Sequence, residues 1–136
     1  MKILFLDIDG VLNQYDGMAQ KHMFDYVCVR ILHKIYDSVP DLKIVLSSSW
    51  RGLTERKFIE RGIGLVIHGD TPVSKGLSRM DEIEEWMRGK EVSSWVALDD
   101  ELSPHHPNVV KTDMMIGLRW ADADRAIEIL NGAKNE

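Results

Sequence analysis

Two aspartates and a glycine follow the first apolar run of the chain, in the segment LFLDIDG. Asp7 and Asp9 are separated by one residue, and Gly10 comes next. A carboxylate beside a divalent ion can attack phosphorus as a nucleophile, and a second carboxylate nearby can protonate the leaving oxygen and then activate water. Gly10 would let the chain turn sharply behind such a nucleophile, because glycine adopts backbone conformations that other residues avoid. With a metal ion and phosphate-holding groups nearby, the segment could therefore carry out chemistry at phosphorus.

More oxygen-bearing side chains follow two later apolar runs. Ser47–Ser49 come after one of them, and Asp99 and Asp100 come after another. Carboxylates that converge repel one another unless a cation lies between them. Oxygen ligands without a His or Cys partner suit a hard ion, and a small number of carboxylates favours Mg²⁺ with several retained waters. Together with Asp7 and Asp9, the acidic pair is a candidate magnesium site.

Basic residues are also available to offset negative charge on a phosphoryl group. Lys75 and Arg79 lie ahead of the helical pattern that leads into the strand before the acidic pair. A serine hydroxyl with neighbouring backbone N–H groups can hold phosphoryl oxygens, and a lysine or arginine can balance the charge that develops on them. Arg51 follows the serines, and its rigid donor fork suits a phosphate. A solvated residue in the first turn of a helix is an equally good interpretation of Arg51.

Short apolar runs alternate with segments of helical periodicity along the whole chain. Strands that alternate with helices imply a parallel sheet with both faces covered. In such sheets ligands bind at the carboxyl ends of the strands, near the point where the strand order reverses. Because the aspartates and serines described above all follow predicted strands, we expect them to form one site. The predicted strands are 3–6, 43–46, 65–67, 95–98 and 109–110, and the predicted helices are 24–35, one between Thr54 and Gly62, one from Met80 to near Gly89, and one between Asp122 and Gly132.

Three segments resemble motifs of one superfamily. LDIDGVLN, IVLSSSWR and VALDD are similar to the first, second and fourth motifs of the haloacid dehalogenase (HAD) superfamily of phosphotransferases and phosphatases, the first in its DxDGVxN form. The order of the motifs also agrees, and the resemblance covers nearly the whole chain. The last segment, GLRWADADRAIEIL, resembles the tail of small HAD-like domains, some of them found in nucleic-acid repair proteins. The resemblance implies a three-layer, Rossmann-like α/β fold with a central parallel sheet.

The resemblance also implies roles for the acidic residues. Asp7 would be the nucleophile that forms an aspartyl-phosphate, and it would also bind Mg²⁺. Asp9 would be the general acid and base, with its backbone carbonyl reaching the metal. Asp99 and Asp100 would complete the metal site, with either of them as the direct ligand.

The remaining motif residues would hold the phosphate. Ser47 would donate a hydrogen bond to the transferring phosphoryl group, with help from the backbone of Ser48 and from the turn at Gly10. Two residues compete for the basic position of the third motif. Lys75 has the spacing of several relatives and is placed first, whereas Arg79 sits closer to the helix start, as in the small repair-type domains.

Length and composition limit what else the protein can be. The 136 residues, 44% hydrophobic and 29% charged, predict a single globular domain over residues 1–136. A net charge of -5 argues against general attraction to nucleic acid, although it permits a local basic patch. A single cysteine excludes a disulfide scaffold. No apolar run approaches the ~20 residues of a membrane span, and no signal-peptide pattern is present, so the sequence predicts a cytoplasmic protein without a membrane partner.

The intervals between motifs leave little room for a cap over the site. Gly10 to Lys43 holds one helix and a candidate flap around 15–17, and Arg51 to Lys75 holds one short helix and one strand. Neither interval can bury a core of its own. We therefore expect a capless protein whose open site admits a large phosphorylated substrate, such as a nucleic-acid end or a phosphoprotein. Near the end of the chain, Met114, Met115 and Trp120 either line the site entrance or pack under the last helix, and packing is the default interpretation.

The leading hypothesis is a Mg²⁺-dependent phosphomonoester hydrolase that acts through Asp7. A polynucleotide end and a small nucleotide or sugar phosphate both remain open as substrates, as does the oligomeric state. A receiver-type signalling module needs an aspartate at the end of its mid-chain strand, where this chain has Ser47. A degenerate HAD-like domain kept for binding phosphate or metal is the other alternative. A metal-dependent nuclease ranks lower, because the first motif predicts covalent catalysis.

Overall fold

The computed structural model of the protein describes residues 1–14, 24–52 and 54–132. Within these residues the chain forms five strands and four helices, in an order that alternates for most of its length. The strands are β1 (Lys2–Leu6), β2 (Leu42–Leu46), β3 (Gly69–Asp70), β4 (Ser94–Asp99) and β5 (Val109–Lys111), and the helices are α1 (Tyr26–Ser38), α2 (Arg56–Ile63), α3 (Arg79–Met87) and α4 (Trp120–Gly132).

The strands form one parallel sheet in the order β3-β2-β1-β4-β5. The register pairs Leu6, the last residue of β1, with Leu46 in β2 and with Leu98 in β4. The residues that follow these three leucines therefore lie side by side at one edge of the sheet. The central strand β1 is also the point where the chain reverses its direction across the sheet, which is where open α/β sheets bind their ligands.

Alternate side chains of β1 build two separate cores. Leu4 and Leu6 are fully buried in the larger cluster, to which α1, α2 and α4 contribute. Ile3 and Phe5 are fully buried in the smaller cluster, on the face that α3 covers. Right-handed crossovers explain this division, because the chain moves outward through α1 and α2 and returns through α3, which places α3 on the opposite face. The expected three-layer α/β fold is thus confirmed.

Strand β3 and helix α2 lie at positions that differ from those predicted by the sequence. The third strand is β3 at Gly69–Asp70 rather than 65–67, since it is His68 and Thr71 that donate backbone hydrogen bonds to β2. Helix α2 begins after Glu55 rather than Thr54 and ends at Gly64, whose φ is 73°. Gly62 lies inside α2, where a Cβ would come within 2.1 Å of the Phe24 ring, so this glycine serves helix packing instead of termination.

The interpretation of the late methionines and tryptophan as packing residues is wrong. Met114, Met115 and Trp120 are 38%, 60% and 48% exposed. The loop after β5 and the first turn of α4 therefore present apolar side chains to solvent at the carboxyl edge of the sheet.

The described part of the chain contains no cap domain. Between β1 and β2 it holds the turn after Asp7 and helix α1, and between β2 and β3 it holds α2. The candidate flap at 15–17 lies outside the described residues. No helix in the described ranges is long and apolar enough to cross a membrane.

Candidate active site

Asp7 continues β1 at the carboxyl edge of the sheet. Its backbone N–H donates to the carbonyl of Leu98 in β4, at 3.2 Å, and its side-chain Oδ1 accepts from the N–H of Ile8 at 2.8 Å. The residue is only 6% exposed. Burial, and then the neighbouring carboxylate of Asp99, raise the pKa of Asp7 to about 8, while Arg79 opposes the shift. Additional positive charge close to Asp7 would lower this pKa and favour the anionic carboxylate.

Asp7, Asp99 and Asp100 bring their carboxylates together. One oxygen of each lies within 4.8 Å of those of the other two. Asp99 is fixed by the backbone, since its Oδ1 accepts from the N–H groups of Glu101 at 2.8 Å and Leu102 at 3.3 Å. Burial and the nearby Asp99 raise the pKa of Asp100 as well. Three close carboxylates, all with hard oxygen donors, fit a divalent cation such as Mg²⁺.

Gly10 makes room for this cluster. Its φ is 81°, and a Cβ at this position would lie 2.5 Å from Oδ2 of Asp100. Its N–H donates to Oδ1 of Asn13 at 3.0 Å, and its carbonyl accepts from the hydroxyl of Thr112 at 2.7 Å. Any other residue here would be strained and would displace Asp100 from the cluster.

Two side chains hold the carboxylate of Asp9 outside the cluster. The Asn13 amide donates to its Oδ1 at 3.0 Å, and the indole Nε1 of Trp50 donates to its Oδ2 at 3.0 Å. Trp50 is 7% exposed and its ring lies 5.6 Å from that of Phe24. The sequence analysis missed Asn13 and Trp50, although both belong to the quoted segments LDIDGVLN and IVLSSSWR. No local sequence pattern could indicate the contact between Trp50 and Asp9, because the two residues are 41 positions apart and meet only in the folded chain.

The serines at the end of β2 differ in their contacts. Ser47 is 2% exposed, and its Oγ is buried without a hydrogen-bond partner among the described residues. Ser48 is fully buried, and its Oγ accepts from the N–H of Trp50 at 3.1 Å. A buried hydroxyl without a partner costs free energy, so the Ser47 hydroxyl is available for an oxygen of a bound group.

Arg79 reaches the cluster from the start of α3. Its Nη1 donates to Oδ2 of Asp99 and to the carbonyl of Ser47, both at 2.7 Å, and lies 3.6 Å from Asp7. Lys75 is exposed and makes no hydrogen bond or ion pair with any residue that the structure describes. Of the two candidates for the basic position, the structure brings only Arg79 to the aspartates.

A capping box determines where α3 begins. The Ser78 hydroxyl accepts from the N–H of Asp81, and the Asp81 carboxylate accepts from the N–H of Ser78, both at 3.1 Å. This arrangement satisfies two backbone donors at the helix start. It makes Arg79 the first helical residue, directed toward the carboxyl ends of β1 and β4.

Arg51 is occupied by a buried ion pair. Its Nη1 lies 3.0 Å from Glu82 of α3 and donates to the hydroxyl of Thr71, and the side chains of Arg51 and Glu82 are 8% and 7% exposed. These contacts tie the end of β2 to α3. No contact of Arg51 with the carboxylate cluster is present in the described ranges.

One family matches the chain over residues 3–123, and it is described as the HAD domain in Swiss Army Knife RNA repair proteins. Searches of curated proteins and of solved structures gave no match. The matched range begins in β1 and ends in α4, so it includes every residue of the site described above. The chain therefore belongs to the HAD domain family of Swiss Army Knife RNA repair proteins.

Proposed function

We propose that the protein is a Mg²⁺-dependent phosphomonoester hydrolase that acts through an aspartyl-phosphate on Asp7. The observation that carries this proposal is the meeting of three carboxylates with Arg79 and with the buried, unpartnered hydroxyl of Ser47. The carboxylates provide a nucleophile and metal ligands, while the arginine and the serine provide donors for phosphoryl oxygens.

The chain's residues support a two-step reaction. Asp7 attacks phosphorus, the bond to the leaving oxygen breaks, and Asp9 gives its proton to that oxygen. A water molecule then loses a proton to Asp9 and attacks the phosphorus of the aspartyl-phosphate, which releases phosphate and restores Asp7. A divalent ion held by Asp7, Asp99 and Asp100 would supply the positive charge that lets an anionic carboxylate approach an anionic phosphate.

Asn13 and Trp50 would keep Asp9 in place for both proton transfers. Each donates to a different oxygen of the carboxylate, and each oxygen keeps a further lone pair that can carry the proton. Arg79 would balance charge on the phosphoryl oxygens, and Ser47 would donate its hydroxyl proton to one of them. These donors are fixed before the substrate binds, which is how enzymes stabilise charge in the transition state.

The substrate proposed here is the terminal phosphate of an RNA strand. Two observations support it: the family is that of a domain in RNA repair proteins, and the described intervals hold no cap that would restrict the site to small molecules. A free nucleotide or sugar phosphate would bind with fewer contacts to an open site that excludes water poorly.

The test is phosphate release in the presence of Mg²⁺ or EDTA from an aryl phosphate, nucleotides, sugar phosphates, and oligoribonucleotides phosphorylated at either end. Asp7→Asn is the inactive variant. Asp41→Asn is the matched control, because it makes the same change in an exposed turn before β2, at the opposite edge of the sheet. Asparagine tolerates the φ of 59° at this position. We expect Mg²⁺-dependent release that only Asp7→Asn abolishes. Release no greater than that of Asp7→Asn on every substrate would contradict the proposal.

A further inference from the structure

A groove of about 570 Å³ runs between α1 and α4 on the surface of the protein. Its lining consists of Tyr26, Val29, Arg30, His33, Lys34 and Asp37 of α1 together with Trp120, the first residue of α4. None of these residues takes part in the site described above. Nothing in the fold requires large rings at these positions, because the two helices already bury their apolar sides against the sheet.

The two rings of the groove are open to solvent and each has a cation beside it. Tyr26 is 73% exposed and Trp120 is 48% exposed. The guanidinium carbon of Arg30 lies 5.8 Å from the centroid of the Tyr26 ring, and Nζ of Lys34 lies 5.8 Å from that of Trp120. Exposed rings interleaved with cations are the pattern by which proteins bind single-stranded nucleic acid, since bases stack on the rings and phosphates contact the cations.

The groove begins at the same edge of the sheet as the carboxylates. Helices α1 and α4 follow β1 and β5, so their first residues, Tyr26 and Trp120, lie at the carboxyl ends of the strands. Arg119 precedes Trp120 and lines a second cavity, of about 390 Å³, together with Asp100 and Lys111. Consecutive residues therefore line the two cavities, Arg119 the second cavity and Trp120 the groove, and their Cα atoms are ~3.8 Å apart. This adjacency gives a strand whose end lies at Asp100 a short path to the groove.

Charge limits how far along the groove a strand can extend. Lys34 lies 3.5 Å from Asp124, but both side chains are well exposed, at 46% and 70%, and such pairs are weak enough for a phosphate to replace. Asp37 lines the far end of the groove, near the end of α1. The favourable stretch is from Tyr26 to Lys34, about 12 Å along the helix, which is the length of a few stacked bases.

We propose that the groove between α1 and α4 binds the single-stranded RNA next to the phosphorylated end, with bases on Tyr26 and Trp120 and phosphates at Arg30 and Lys34. This inference rests on the proposed function for the identity of the ligand. Tyr, Trp and Arg are also enriched in protein interfaces, so a contact between protein chains is the competing outcome, and the oligomeric state distinguishes it. The small number of cations also agrees with a net charge of -5, since binding is confined to one short stretch.

Two measurements test the groove separately from catalysis. The first is the binding of a fluorescent single-stranded oligoribonucleotide with hydroxyl ends, followed by anisotropy in EDTA. The second is the ratio of kcat/KM for a phosphorylated oligoribonucleotide to kcat/KM for an aryl phosphate. The variants are Trp120→Ala and the pair Arg30→Gln with Lys34→Gln.

Matched controls are available on α2. Phe58 is as exposed as Trp120, at 48%, so Phe58→Ala removes an equally exposed ring and is the control for the binding measurement. Its ring lies 6.4 Å from that of Phe24, which packs on Trp50, so it is not a control for hydrolysis. Lys57→Gln with Arg61→Gln makes the same change in net charge as the groove pair. We expect Trp120→Ala to weaken oligonucleotide binding and turnover roughly 5- to 100-fold, as loss of one stacked base does, and to leave aryl phosphate hydrolysis unchanged. The Arg30→Gln, Lys34→Gln pair should lower the slope of log Kd against log salt concentration by about 1.4. The α2 controls should leave oligonucleotide binding unchanged.

The outcomes separate this inference from the proposed function. If the wild-type protein hydrolyses nothing, the proposed function fails, while the binding assay still tests the groove. The proposal that the groove binds RNA would be overturned if groove and α2 variants weakened oligonucleotide binding equally. It would also be overturned if the groove variants lowered kcat/KM equally for the two substrates. A change from dimer to monomer in Trp120→Ala together with unaltered RNA binding would overturn it too, since the groove would then be a contact between protein chains.

Discussion

At the scale of single residues, two side-chain donors hold the carboxylate of Asp9. The indole of Trp50 and the amide of Asn13 each hold one of its oxygens. A hydrogen bond to a charged group contributes about 1.5–3 kcal/mol, more than one between neutral groups. If Asp9 moves protons, its orientation should affect turnover more than substrate binding.

Trp50→Phe tests this positioning, because phenylalanine keeps an aromatic ring against Phe24 but loses the indole donor. We expect kcat on an aryl phosphate to fall roughly 10- to 100-fold, with KM nearly unchanged and a shifted pH profile of kcat. The same substitution should have little effect in an Asp9→Ala background. A purely structural role of Trp50 would instead lower activity equally in both backgrounds and leave the pH profile in place.

The raised pKa of Asp7 also has a consequence for stability. A group with a folded pKa of about 8 and an unfolded value of 3.8 binds its proton more tightly in the folded state. The stability that this proton provides is complete below pH 3.8 and is lost as the pH rises through about 8. Without a metal ion, the free energy of unfolding should therefore fall across this range. A bound cation would offset this loss, because it favours the anionic form of Asp7 in the folded state.

Asp7→Asn should remove this loss of stability at high pH, because asparagine carries no charge at any pH. In EDTA at about pH 8, we expect the variant to unfold with a free energy about 1–3 kcal/mol above that of the wild type, and the difference should vanish near pH 4. Urea unfolding at several pH values would measure it, with Asp41→Asn as the control. Mg²⁺ should stabilise the wild type more than the variant. A variant less stable than wild type at every pH would contradict this account of the cluster.

At the scale of elements, the start of α3 decides which basic residue reaches the site. The capping box of Ser78 and Asp81 places Arg79 in the first turn, and Lys75 stays in an exposed turn. We expect Arg79→Gln to lower kcat/KM on an aryl phosphate about 10²- to 10³-fold, as loss of one charge-stabilising donor does. Lys75→Gln is the matched variant and should stay within about twofold of wild type. The reverse order of effects would assign the basic position to Lys75.

The elements show which parts of the structure could be predicted from the sequence. Strands β1, β2 and β4 can be predicted because each contains an apolar run, at 3–6, 44–46 and 95–98, that a polar residue follows. Strand β3 has only two residues, too few to show a hydrophobic pattern. The nearby apolar run 65–67 therefore gives the stronger strand signal in the sequence. The capping box could have been read from Ser78 and Asp81, and it would have favoured Arg79. The contacts of Trp50 with Asp9 and of Arg51 with Glu82 join segments far apart in sequence, so no local pattern predicts them.

At the scale of the whole molecule, the sheet topology gathers the chemistry at one edge. Strand β1 lies at the centre of the order β3-β2-β1-β4-β5. The register aligns Leu6 of β1 with Leu46 of β2 and Leu98 of β4, so the carboxyl ends of these strands lie side by side. The same edge carries the first turns of α1 and α4, and with them the aromatic groove. A phosphorylated RNA end would thus meet the carboxylates while the adjoining nucleotides contact the helices.

The measurement that tests the central claim most directly is the capture of phosphate on Asp7. Wild-type protein with Mg²⁺ and a phosphorylated oligoribonucleotide is quenched in acid within one turnover, and peptide mass spectrometry then locates any added phosphoryl group. Borohydride should reduce an aspartyl-phosphate at this position to homoserine. We predict the modification on Asp7, its accumulation in Asp9→Asn, and its absence in Asp7→Asn. Turnover of the substrate with no modified Asp7 at any time would contradict covalent catalysis by this residue.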